Sequence, residues 1–101
     1  MNMTSEELAE KLKENFRTIY RTSQKPAIVT FKKRREGGRI VNITFDHPAA
    51  KWPAVPYELM NAALLMLHHA GLINYGANTV RLSDSLIQTG KLADPGQDAT
   101  V

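Results

Sequence analysis

Two runs of strict alternation flank a pair of glycines, and they constrain the fold of this chain more than any other feature. Ala27, Val29 and Phe31 alternate with Ile28, Thr30 and Lys32; beyond Gly37–Gly38, Val41, Ile43 and Phe45 alternate with Asn42, Thr44 and Asp46. Period-two alternation of β-branched and aromatic residues is the pattern of a strand with one buried face. Joined by a turn, the two runs make a hairpin whose apolar face another part of the chain has to cover. A two-residue Gly37–Gly38 loop sets Phe31 opposite Thr44 and mixes the faces. A three-residue Glu36–Gly37–Gly38 loop sets Phe31 opposite Ile43 and Val29 opposite Phe45, and it places a glycine where a bulge needs positive φ. The three-residue loop is therefore expected. It buries Val29, Phe31, Val41, Ile43 and Phe45 together and exposes Thr30, Lys32, Asn42 and Thr44.

Two helices are available as cover. Thr4 and Glu7 have the spacing of a capping box, with Met3 and Leu8 at the staple positions. Leu8, Leu12, Phe16, Ile19 and Tyr20 then recur at helical spacing, which predicts a helix over Ser5–Thr22. Asp46 to Pro56 holds three prolines and reads as a connection; Pro56 suits the first turn of a second helix running to Ala70. From Leu59 to Leu67 that helix has almost no polar face, so it lies central in a core or at a dimer interface. A homodimer burying part of Leu59–Leu67 or a neighbouring sheet edge is expected on this ground. Gly71 reads as the left-handed stop, with Leu72 placed to touch Leu67.

Leu72–Tyr75 and Thr79–Leu82 predict a weaker second hairpin around Gly76–Asn78. Ser83 or Asp84 caps a short helical turn through Leu86 and Ile87, stopped at Gly90, and a flexible tail is expected from Lys91. The expected fold is thus α+β: a single small domain over residues 1–90 (helix, β-hairpin, helix, weaker β-hairpin) and a tail over 91–101. Leu64–Leu67, the following His68–Ile73 and the Thr79–Leu82 strand also resemble the last helix and wing of a winged-helix domain. That resemblance implies a groove-facing helix, yet here a hairpin and a proline-rich connection stand where that family has another helix. Only Asn61, His68 and His69 offer polar groups to base edges. A buried core helix is the preferred reading.

Length and composition narrow the function classes. At 101 residues there is room for one domain, and the absence of cysteine removes disulfides, thiol catalysis and cysteine-ligated metals. The longest apolar run, Ala62–Leu67, falls far short of the ~20 residues of a membrane span. The polar, acidic start fits neither a signal nor a transit peptide, so a soluble, cytoplasmic protein without membrane contact is expected. His68 and His69 are adjacent and point about 100° apart on a helix, and Asp46–His47 lacks a nucleophile pattern. GxGxxG and GxxxxGK[ST] are both absent. No catalytic, metal or cofactor residue is assigned, and a non-enzymatic protein is expected.

Charge supplies the candidate site. The net charge is only +3, but five of the thirteen basic residues lie in one stretch: Lys32, Lys33, Arg34, Arg35 and Arg39. A basic hairpin tip can follow a phosphate backbone; a plain solvated or protein-facing tip, whose charges discourage edge pairing, is the other reading. Arg17 and Arg21, with Lys13, form a ridge on the first helix that extends the basic surface if it projects the same way; an ordinary solvated face, supported by neighbours such as Glu14, is the preferred reading. Trp52, beside Pro53, is a candidate to stack a base or anchor a partner, with closure of one core edge as the preferred reading. The leading expectation is a regulatory protein binding DNA or RNA through these residues. The alternative is a protein-binding inhibitor or adaptor of the kind phages and mobile elements encode, acting as a homodimer.

Overall fold

The first helix begins where its cap predicts. In the computed structural model, which describes residues 3–48 and 50–87, α1 spans Ser5–Thr22. The Thr4 hydroxyl accepts from the Glu7 N–H at 3.0 Å, while the Glu7 carboxylate accepts from the Thr4 N–H at 2.9 Å. Both groups would otherwise be orphan donors of the first turn. The stripe Leu8, Leu12, Phe16 and Ile19 is buried, and Met3 packs against the same core.

The strands β1 (Ile28–Glu36), β2 (Arg39–Phe45), β3 (Ile73–Tyr75) and β4 (Thr79–Leu82) form one antiparallel sheet in the order β2-β1-β4-β3. The two hairpins are therefore joined edge to edge by pairing of β1 with β4. Helix α2 (Tyr57–His69) crosses between them and packs, with α1, on one face. The fold is α+β. The expected tail from Lys91 and the stop at Gly90 lie outside the described residues; Ser83 Oγ accepts from the Ser85 N–H at 3.0 Å and starts a helical turn at 85–87.

The expected three-residue loop is not the one found. Glu36 pairs with Arg39 across a two-residue Gly37–Gly38 turn, with φ of +59° and +79°. Those are the values of the turn that matches strand twist, which only glycine reaches without cost at both positions. Parity is restored farther down: Arg35 faces Ile40 but Arg34 faces Asn42, so Val41 is an extra, bulged residue. Below the bulge Phe31 lies opposite Phe45, not Ile43, with ring centroids 5.7 Å apart. Val29, Phe31, Ile43 and Phe45 are buried on one face, and Thr30, Lys32 and Thr44 are exposed on the other. The bulge accounts for the two departures: Val41 and Asn42 are both half-buried.

At its far end α2 stops as Gly71 requires. With φ of +78°, Gly71 donates to the His68 carbonyl at 3.0 Å, and Leu72 donates to the Leu67 carbonyl at 3.0 Å. The block that resembles a helix and wing belongs to the core. Met60, Ala63, Leu64 and Leu67 are buried, and β4 sits inside the sheet. One chain covers most of α2, leaving Leu65 and Met66 exposed at 37% and 38%.

Tyr75 ties β3 to α2. Its hydroxyl donates to Asn61 Oδ1 at 2.8 Å, and its N–H donates to His68 Nδ1 at 3.1 Å. Burial, reinforced by the neighbouring Tyr57, pushes the phenol up to about 12 from 10.0. A raised acid pKa means that the fold disfavours the phenolate, so stability declines as pH rises from 10.0 towards about 12. Tyrosinate absorbance followed alongside far-ultraviolet circular dichroism checks this; Tyr75→Phe, which cannot ionise, should flatten the decline.

Candidate nucleic-acid interface

The basic stretch is built as an arm. Pairing of β1 with β4 covers Ile28–Thr30 and ends as the Phe31 N–H donates to the Asn78 carbonyl at 3.0 Å. From Lys32 to Glu36, among the described residues, β2 is the sole strand paired with β1. Those five residues extend a two-stranded ribbon about 17 Å past the body of the sheet, at roughly 3.4 Å each.

Alternation divides the cations between the two faces of this ribbon. Lys33 and Arg35 continue the row of Val29 and Phe31, on the side of the helices. Lys32 and Arg34 continue the row of Thr30, on the open side, where Arg39 joins them because it pairs with Glu36. Lys32, Arg34, Arg35 and Arg39 are exposed and Lys33 is half-buried. Glu36 is the one acid between Lys32 and Arg39, and it pairs with Arg34. Among the described residues the other four cations of the stretch have no ion-pair partner. The body of the sheet extends the open side with Thr44, Asn74 and Arg81, all exposed, and with Ile28 at 48% exposure.

Arg81 was not singled out from the sequence. Its signal was present, since Val80 and Leu82 point inward and leave Arg81 outward. Its relevance depends on β4 pairing with β1, where Arg81 faces Ile28. Near the bulge, Asn42 Oδ1 is buried and lacks a hydrogen-bond partner among the described residues.

The remaining candidates are placed elsewhere. The Arg17 side chain is 13% exposed; Nε donates to the Leu86 carbonyl at 2.8 Å and Nη1 pairs with Glu14 at 2.5 Å. Its guanidinium fastens the 85–87 turn to α1, over a Leu86 side chain that is fully buried. Arg17→Ala is expected to cost about 1–3 kcal/mol by leaving that carbonyl unpaired. Urea denaturation measures the loss, and an unchanged midpoint contradicts the fastening role. Arg21 is exposed in the last turn of α1, on the helix side of the sheet and so across it from Lys32, Arg34 and Arg39. Trp52 stacks on Phe45 with centroids 4.4 Å apart, meets Phe16 at 5.7 Å and donates from Nε1 to the His47 carbonyl at 2.9 Å. Its ring closes an edge of the core.

No group of three or more His, Cys, Asp or Glu side chains among the described residues is placed to hold a metal ion, and no helix there is long and apolar enough to cross a membrane. Comparison with models of known families, with curated protein sequences and with solved structures yields no match, so the functional reading rests on the geometry of the arm.

Proposed function

We propose that this chain is a small, non-enzymatic regulatory protein that binds nucleic acid through the Lys32–Arg39 arm. One observation carries the reading: five cations project on a ribbon beyond the sheet with a single acid among them. A solvated turn needs fewer charges to stay soluble, and charges placed for folding would be paired. Each cation that meets a phosphate releases condensed counterions, which makes binding strong at low salt and steeply salt-dependent. Arg81 adds to the open face. Arg17 is left out because its guanidinium is occupied, and Trp52 because its ring is stacked in the core.

Fluorescence anisotropy with labelled DNA and RNA at several salt concentrations tests the reading. Binding that weakens log-linearly with salt supports it; no salt-sensitive binding to either nucleic acid overturns it. Glu36→Gln provides a change of opposite sign. Removing the one acid of the arm takes away its repulsion of the phosphate backbone, and affinity should rise by less than the roughly eightfold that a whole further phosphate contact contributes at 0.1 M salt. Should the nucleic-acid reading fail, a protein-binding inhibitor or adaptor takes its place, and the exposed Leu65 and Met66 on α2 are where its contact or self-association would be sought.

A further inference from the structure

The shape of the arm and the placement of its aromatic residues select among nucleic acids. We infer that the ligand is duplex DNA, with the ribbon lying in its major groove; this rests on the nucleic-acid reading above and narrows it.

Three features of the molecule support the inference. First, the arm is a free two-stranded ribbon past Phe31, and the B-form major groove, about 12 Å wide and 8.5 Å deep, admits an element of that kind. A reach of about 17 Å, five residues at roughly 3.4 Å each, exceeds that depth, so the tip can span the groove while the body of the sheet stays outside. Second, the cations occupy both faces of the ribbon: Lys32, Arg34 and Arg39 on one, Lys33 and Arg35 on the other. A groove has a phosphate wall on each side of whatever enters it, and a two-faced ribbon meets both. A single strand lying on a flat sheet meets only one face, and charge on the reverse contributes little there.

Third, the open face offers no platform for unpaired bases. Single-strand binders gain much of their affinity from bases stacked on aromatic side chains. Here Phe31 and Phe45 are buried towards the helices, Trp52 is stacked on Phe45, and Tyr75 is half-buried beside Phe31 with its hydroxyl bound to Asn61. The open face carries Ile28, Thr30, Lys32, Arg34, Thr44, Asn74 and Arg81, none of them aromatic. Duplex RNA is disfavoured on geometry, because the A-form major groove is deep and too narrow for side chains to read.

The experiment compares one sequence presented as duplex DNA, as single-stranded DNA and as duplex RNA, by anisotropy at matched salt. Methyl green, which occupies the major groove, and netropsin, which occupies the minor groove, serve as competitors. Duplex DNA is expected to bind at least tenfold more tightly than the other two, with displacement by methyl green and not by netropsin. Equal or tighter binding of the single strand or the RNA, or displacement by netropsin alone, overturns the duplex assignment and leaves the nucleic-acid reading standing. Salt-insensitive or absent binding to all three overturns both. Arg34→Ala combined with Arg35→Ala removes a cation from each face, and circular dichroism keeps loss of fold apart from loss of binding. If that pair loses no affinity for duplex DNA while the fold is intact, the two-faced contact is wrong.

Discussion

Replacing Arg34, Arg35 and Arg39 together by alanine is expected to weaken nucleic-acid binding on the order of 10²–10³-fold at 0.1 M salt. Each phosphate contact adds roughly 0.7–0.9 to the logarithmic salt slope, so losing three should flatten that slope by about 2–3. Stability should change by only about 0.5 kcal/mol, because these side chains project from a ribbon and their substitution opens no cavity. The pair between Arg34 and Glu36 is exposed and contributes little to the fold. Anisotropy across a salt series, with a urea melt of the same sample, reads both quantities. A triple variant that binds like the wild type would show that phosphates are met elsewhere on the surface, and a variant that loses binding only because it unfolds would leave the contact unsupported.

The largest effect on stability is expected at Phe45. Its ring touches Phe16 edge-on at 5.9 Å and Phe31 at 5.7 Å, and stacks on Trp52 at 4.4 Å, so it joins α1, both strands of the hairpin and the connection into α2. Phe45→Ala removes the centre of that cluster and leaves a cavity, at a cost of about 3–5 kcal/mol. A domain of this size has about 5–15 kcal/mol in total, so a visible unfolded fraction is expected. Phe45→Leu, which keeps most of the volume, should retain the fold, and Thr44→Ala on the open face should stay within about 0.5 kcal/mol of the wild type. Urea denaturation followed by Trp52 fluorescence ranks the three. Phe45→Ala within 1 kcal/mol of the wild type would contradict this account of the core.

Those contacts also mark where the sequence stopped being legible. Local signals survive: the Thr4–Glu7 box begins α1, Gly71 ends α2, and alternation assigns both faces of the first hairpin except at Val41 and Asn42. The turn was misassigned because two solutions preserve the same faces. A three-residue loop does so by itself, and a two-residue loop does so when one residue bulges lower down. Alternation is blind to the difference, and the choice is made by the fit of a Gly-Gly turn to strand twist. Partners far apart in the chain left still less trace. Pairing of Ile28 with Arg81 and the bond from Arg17 to the Leu86 carbonyl join ends of the molecule that carry no local mark of each other. Hence nothing local decides whether the basic ridge on α1 projects with the hairpin tip, and the fold answers it: Arg17 is committed to the fold and Arg21 lies across the sheet from three of the five arm cations.

The bulge at Val41 gives the arm a modular length. Below it the register is fixed by Phe31 against Phe45, and above it Glu36 pairs with Arg39, both exposed, up to the Gly37–Gly38 turn. Adding or deleting one residue from each strand above Val41 leaves every pairing in the body unchanged and moves the tip by about 3.4 Å. The same edit exchanges which face each later side chain occupies, because the side-chain period is two. An insertion in one strand alone has no such neutrality, since it must either shift the bulge or rotate the core row out of the helices. Reach and charge pattern at the tip can therefore be redesigned in paired steps while the hydrophobic body stays as it is.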